Sequence, residues 1–187
     1  MATSAAFRSR RLVLSALCLA FSAAAADRID YPPTERRFSS PSHAFVLVVR
    51  TADNWKTPRP IAELRRADGS VIWQHPLPHY HGPRFALVAD NGAVVLVDEW
   101  INVVSRYAVI LIDPLGRTVA VHPAEGVFSL LAVPRRDISA HARFGVWLSG
   151  IPAFSSDGGS VVLESDGRRI ELSLKMGSLT LGNRVAP

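Results

Sequence analysis

Three runs of the sequence are apolar at consecutive positions, and this feature limits the folds open to the chain. The runs are Phe45–Val49, Val94–Val97 and Ala108–Ile112. A strand with one face in water alternates apolar and polar residues, so these runs predict strands buried on both faces. Parallel sheets also bury both faces, but each crossover takes about a dozen residues or more. Because the connections here are hairpin-length, the runs predict antiparallel sheets packed between other sheets.

The segment from Phe85 to His122 is the clearest unit and predicts four strands joined by turns. The predicted strands are 85–89, 93–97, 107–112 and 118–122. Asn91-Gly92 and Asp113-Pro114-Leu115-Gly116 are turn sequences, because glycine and asparagine tolerate positive φ and proline presets its own φ. The longest connection, 98–106, is predicted to be a loop.

Parts of this unit recur on both sides of it. The turn and strand of residues 87–97 are similar to residues 38–48 and 154–164. A second pattern relates residues 64–75 to residues 111–122, and residues 164–172 form a shortened third copy. A period of about 48 residues is typical of arrays of sheet units such as propellers.

Residues 123–147 interrupt the repeat. Val127, Leu130 and Leu131 have helical spacing, and Pro134 suits the first position of a helix, so we expect one or two short helices over a sheet end. The alternating segment Arg169–Leu174 predicts that the last sheet exposes one face. The predicted fold class is all-β, with antiparallel stacked, propeller-like sheets and a short helical insertion near 123–147.

Residues 1–26 have the features of a signal peptide that is removed on export. The positive start contains three arginines: Arg8, Arg10 and Arg11. The apolar run Leu12–Phe21 follows, and Ala24–Ala26 fits a cleavage site. We predict a periplasmic or secreted protein with a single β-repeat domain, residues 27–187. The general secretory and twin-arginine routes both stay open.

The charge of the whole chain overstates the basic character of its exported part. The formal net charge is +5, and residues 1–26 hold three arginines and no acid, so residues 27–187 carry +2. Nucleic-acid binding needs a clustered basic surface, whereas the remaining arginines are scattered pairs, so no nucleic acid is expected. The one cysteine, Cys18, lies in the predicted signal peptide, so a metal site in the exported part would use His, Asp or Glu.

The segment Ala67-Asp68-Gly69-Ser70-Val71-Ile72-Trp73-Gln74 resembles the repeat of pyrroloquinoline-quinone-type β-propellers, in which a turn leads into a strand with a docking tryptophan. The resemblance covers three partial blades: 38–75, 85–122 and 153–177. It implies propeller-like blades, but no residues match the quinone site, so no cofactor is expected. Three blades are fewer than the four that usually close a ring. A blade therefore lies within 123–152, or the array is open, or chains associate.

The predicted loop contains a set of residues suited to recognition: Asp98, Glu99, Trp100, Asn102 and Arg106. Loops on a rigid scaffold commonly carry function, so this set is a candidate recognition loop. Asp98 and Glu99 point to opposite sides of an extended chain and are not predicted to form a catalytic pair. The chain has no nucleophile elbow and no phosphate-binding glycine loop.

Histidines supply the rival interpretation. His79 and His81 would project to one side of an extended segment, while His75 and His122 occupy matching repeat positions. They support a periplasmic metalloprotein or enzyme. The first hypothesis is an exported, non-catalytic binding or scaffold domain whose partner is a protein or a small molecule. It would meet the membrane only through its signal peptide, and oligomers stay open.

Overall fold

The computed structural model describes residues 30–184, so the predicted signal peptide lies outside the described residues. Twelve strands and two helices are found in this range. Sheet 1 contains β1 (Glu35–Ser39), β2 (Phe45–Arg50), β3 (Ile61–Arg66) and β4 (Val71–Pro76). Sheet 2 contains β5 (Pro83–Val88), β6 (Val94–Glu99), β7 (Val109–Ile112) and β8 (Thr118–His122). Helices α1 (Ala124–Leu131) and α2 (Arg135–His141) precede sheet 3, with β9 (Ala153–Phe154), β10 (Ser160–Ser165), β11 (Arg168–Ser173) and β12 (Leu179–Arg184).

Each sheet is an antiparallel meander of four consecutive strands. Neighbouring strands in a sheet are neighbours in sequence, without crossovers. The register in sheet 2, for example, pairs Phe85 with Val97 and Leu96 with Ile110. The all-β prediction with antiparallel sheets and a short helical insertion is confirmed. The arrangement is compatible with propeller-like blades.

Sheet 2 lies between two hydrophobic cores, as its strands predict. Val94 and Leu96 of β6 join Leu64 in a core between sheets 1 and 2. Val95 and Val97 point the other way, into a core shared with the two helices and sheet 3. These four apolar side chains of β6, Val94 to Val97, are fully buried. The consecutive apolar run therefore exists because both faces of this sheet are covered.

The two outer sheets each carry charged residues on one face. In β11, Ile170 is buried, while Arg169 and Glu171 form an ion pair on the opposite face. This confirms that the last sheet has one exposed face. In sheet 1 the outward-facing Glu63 is covered by Arg50 and Arg65, which both form ion pairs with it. The outer faces of sheets 1 and 3 therefore carry paired charges, whereas both faces of sheet 2 are covered by apolar cores.

Residues 123–152 contain two short helices and no fourth sheet. In α1, Val127 and Leu131 are fully buried against the second core, as their spacing predicts, and Leu130 is half-buried. Pro134 precedes α2 by one position, close to the predicted helix start. The remaining pairing in this segment is one isolated bridge, Phe144 with Leu148. Neither helix, nor any other in the described range, has the length and hydropathy for a membrane span.

Two details differ from the sequence interpretation. Strand β6 continues through Asp98 and Glu99, so these residues belong to the sheet and the connection begins at Trp100. The shortened third copy, 164–172, lies on the β10–β11 hairpin. Its counterparts, 64–75 and 111–122, lie on the third hairpin of their sheets, so the third copy is not in the equivalent place.

Candidate functional site

Asp98 is a buried carboxylate in a strained position near the end of β6. Its φ is 58°, which is uncommon for residues other than glycine, although aspartate tolerates it. The side chain is fully buried, and neither oxygen has a hydrogen-bond partner among the described residues. Arg84 Nε lies 3.7 Å from Asp98 Oδ2. Gly145 packs so closely that a side chain there would collide with the carboxylate.

Burial raises the pKa of Asp98 to about 6. Three groups act in the opposite direction: the backbone N–H of Glu99, the guanidinium of Arg84 and the indole of Trp147. None of them reaches hydrogen-bond geometry with the carboxylate oxygens. The charge of Glu99 adds to the rise. Asp98 is therefore a carboxyl group whose surroundings favour its neutral form.

Glu99 faces a different environment and is held by hydrogen bonds. It is almost fully buried, and its Oε2 accepts from the backbone N–H of Tyr80 at 3.1 Å. Its Oε1 accepts from the hydroxyl of Ser105 at 3.1 Å. Burial raises the pKa of Glu99, and the two hydrogen bonds oppose that rise. Glu99 thus ties the 79–81 segment and the 100–108 connection to the sheet.

Trp100 is covered from two sides. Its Nε1 donates to the backbone oxygen of Asp30 at 2.6 Å. The guanidinium of Arg36 lies 4.8 Å from the centre of the Trp100 ring, a cation–π arrangement. The tryptophan therefore joins the amino-terminal arm to the end of sheet 2.

Arg84 connects the loop to Asp98. Its Nη2 donates to the backbone oxygen of Trp100 and to Asn102 Oδ1, both at 2.6 Å. Arg106 is exposed on the same connection. The predicted recognition residues thus meet at one end of sheet 2, but four of them are buried or engaged in internal contacts. That this loop recognises a ligand stays a prediction.

His79 and His81 are buried in separate apolar surroundings. His79 is fully buried beside Tyr107, and neither ring nitrogen has a hydrogen-bond partner among the described residues. Burial lowers the pKa of His79 to about 4, against a weak opposing contact with the Tyr107 backbone. His81 lies edge-on to Tyr31 and Trp55, and burial lowers its pKa as well.

The other two candidate histidines lie elsewhere. His75 stacks on Trp73, with 5.4 Å between the ring centres. His122 Nε2 is 2.7 Å from the backbone oxygen of Gly177, within a hydrogen bond. In residues 30–184, no three His, Cys, Asp or Glu side chains come close enough to hold a metal ion. The structure therefore does not bring the four histidines into one site.

A groove between sheets 1 and 2 was not anticipated from the sequence. It has a volume of about 700 Å³ and runs between the edge strand β4 and strands β7 and β8. Its apolar wall is formed by Leu77, Ile110, Ile112 and Val121. Its polar lining side chains are Arg59, His75, Tyr107 and Thr118. No carboxylate is among the lining residues of this groove in the described chain.

The β7–β8 turn closes one end of the groove. Gly116 has a φ of 85°, and a Cβ there would lie 2.6 Å from His75 Nε2 and 2.8 Å from Trp73 Cγ. Only glycine allows this turn to approach sheet 1 so closely. The sequence marked Gly116 as a turn residue and His75 as a candidate ligand. It gave no sign that they meet, because the lining comes from separate segments.

A second cavity of about 520 Å³ lies at the opposite end of the sheets. The turns that follow β5 and β9 line it, with Asp90, Asn91 and Asp157 among the polar residues. Asp90 Oδ1 accepts hydrogen bonds from Ser42, and Asp157 Oδ1 accepts from Ser155 and from Gly159. These carboxylates stabilise turns, and that role accounts for the two aspartates without a ligand in the cavity.

No protein-family model matches the sequence, and no curated protein matches it at a significant level. The groove, the buried polar groups and the arrangement of the three sheets are the features of this chain that bear on its function.

Proposed function

We propose that this protein is an exported, non-catalytic binding domain that holds a small ligand in the groove between sheets 1 and 2. The groove carries the proposal, because its volume of about 700 Å³ lies within the roughly 300–1,000 Å³ typical of small-molecule sites. An apolar wall with a few polar groups is also typical of such sites. Export, to the periplasm or outside the cell, rests on the signal-peptide features of residues 1–26.

The propeller resemblance is part of this proposal, and one recurring contact supports it. Trp73 of sheet 1 packs on Gly116, in the last turn of sheet 2. Ala120 stands at the matching position in sheet 2, and Gly177, in the last turn of sheet 3, packs on it. The same kind of contact thus joins each sheet to the next. A rigid stack of this kind suits a scaffold that presents a groove.

The alternative, a periplasmic metalloprotein or enzyme that uses His75, His79, His81 and His122, has less support. The unpartnered nitrogens of His79 favour it, but the four histidines lie in different surroundings. A stoichiometric amount of a transition metal in the purified protein, lost on His79→Ala, would favour this alternative over the binding domain.

Filling the groove should abolish binding. Val121 lines the groove, and its side chain is 45% exposed, so Val121→Trp should fold and place an indole in the cavity. We expect the neutral fluorescent probe N-phenyl-1-naphthylamine to bind the natural protein and to bind this variant at least about tenfold more weakly, or ~1.4 kcal/mol. Fluorescence titration measures both affinities.

Val119 provides the matched control. It lies on the same strand and is 47% exposed, but it does not line the groove. Val119→Trp should leave the probe affinity unchanged. An equal loss of probe affinity in the two variants would show that the probe binds the outer surface of β8. If the probe does not bind the natural protein, the proposed function is contradicted.

A further inference from the structure

We infer that the ligand of this groove is an apolar anion, a molecule with a hydrocarbon body and a carboxylate or similar head group held by Arg59. The inference rests on the proposed binding function and adds the chemical class of the ligand. It comes from the chemistry of the groove lining, in which the apolar and polar residues have separate roles.

The hydrocarbon body would lie on the shared wall of sheets 1 and 2. Ile110 and Ile112 are 2% and 6% exposed, and Leu77 is 4% exposed, so this wall is a rigid part of the core. Val121 extends the apolar surface toward the edge of sheet 2. Val121 is 45% exposed, so a hydrocarbon body would release water from it while resting on the nearly buried wall, which needs no reordering of side chains.

The polar lining favours a negatively charged group. Arg59 carries the one fixed charge of the lining, since no Asp, Glu or Lys is present there. The hydroxyl groups of Tyr107 and Thr118 and the imidazole of His75 can also donate hydrogen bonds. An anion that enters this groove meets a cation and several donors, and it meets no repelling carboxylate.

Arg59 differs from arginines whose charge is already compensated. Arg65 pairs with Glu63 on the same strand, and Arg117 pairs with Asp113 across the β7–β8 turn. Arg59 has no ion pair and no side-chain hydrogen bond to any residue within 30–184. Its guanidinium is therefore available to a carboxylate, which it can bind through two parallel hydrogen bonds.

Competition between two ligands that differ only in the head group tests the inference. Decanoate and decanol would each displace N-phenyl-1-naphthylamine from the purified protein at pH 8. We expect decanoate to bind about tenfold more tightly than decanol, because a charged hydrogen-bonded pair at an exposed arginine is worth about one factor of ten. Arg59→Gln should weaken decanoate binding about tenfold and so remove the preference for decanoate over decanol.

Lys56→Gln is the control for a general loss of positive charge, because Lys56 is an exposed cation three residues away that does not line the groove. It should keep the preference for decanoate. If the probe, decanoate and decanol all fail to bind, the proposed function itself is wrong. If decanoate and decanol displace the probe with equal affinity, the groove binds ligands but the inferred anion is wrong. The same conclusion follows if Lys56→Gln abolishes the preference as fully as Arg59→Gln.

Discussion

Asp98→Asn should stabilise the protein by about 3 kcal/mol above pH 6 and leave its stability nearly unchanged below pH 4. Burial raises the pKa of Asp98 from 3.8 to about 6, and each pKa unit corresponds to about 1.4 kcal/mol. Asparagine has nearly the same shape, tolerates the positive φ at this position and carries no charge to desolvate. Denaturant unfolding of both proteins at several pH values measures the difference.

The sign of this effect follows from proton binding. Between pH 3.8 and 6 the folded protein keeps a proton on Asp98 that the unfolded chain has released. The free energy of unfolding therefore falls as the pH rises through this window, and the full cost is present above pH 6. The neutral amide of the variant avoids that cost, so the gain appears on the alkaline side.

Asp157→Asn is a suitable control because Asp157 is an exposed turn residue. Hydrogen bonds from Ser155 and from the Gly159 backbone lower the pKa of Asp157, so its charged form is favoured in the fold. Its replacement should give no stabilisation at pH 8. If Asp98→Asn destabilises the protein at pH 8, then Arg84 stabilises the Asp98 carboxylate by more than burial costs it.

Burial of His79 should cost the natural protein about 3 kcal/mol of stability on acidification, and His79→Leu should remove this cost. Burial lowers the pKa of His79 from 6.5 to about 4, and leucine has a similar volume and no ring nitrogens to leave unpartnered. At pH 7.5 the variant should lie within about 1 kcal/mol of the natural protein. At pH 4 it should be the more stable of the two, as measured by denaturant unfolding.

The contribution of His79 to the pH dependence of stability has the opposite sign to that of Asp98. Between pH 6.5 and about 4 the unfolded chain binds a proton at His79 that the folded protein excludes. The free energy of unfolding therefore falls as the pH decreases through this window. The exposed His75, replaced by Gln, controls for the loss of one histidine and should leave the pH dependence of the natural protein unchanged. If the natural protein and His79→Leu have the same pH dependence, the fold does not lower the pKa of His79.

The two buried groups partly compensate for each other. As the pH falls from 6.5 to 4, Asp98 adds to the stability while His79 subtracts from it. The natural protein should therefore show a weaker pH dependence in this window than either variant. Asp98→Asn should become steeply less stable on acidification, and His79→Leu should become more stable. The double variant should lose the contributions of both Asp98 and His79 to the pH dependence of stability.

Much of the fold follows from hydrophobic pattern and turn chemistry. The consecutive apolar residues of β6 required two covered faces, and the short turns required antiparallel neighbours. Glycines such as Gly92 and Gly116, both with positive φ, marked turns correctly. The helical spacing of Val127 and Leu131 likewise predicted α1. These are local properties, which neighbouring residues decide.

The candidate site could be predicted only in part. The sequence interpretation placed Asp98 and Glu99 in the 98–106 loop that follows the apolar run. They stay in β6 because the backbone N–H of Asp98 donates to Ala108 and the Glu99 carboxylate is held by Tyr80 and Ser105. None of these partners could be inferred from sequence spacing alone.

The amino-acid sequence by itself determined the layered antiparallel architecture, since side-chain alternation and turn preference act within a few residues. Only the tertiary structure decided that the four candidate histidines are dispersed in the described residues, and that a groove lined by Arg59 lies between two sheets. Those properties depend on which distant segments come into contact. Long-range packing sets the burial and the electrostatic surroundings of each side chain, and thereby its chemistry.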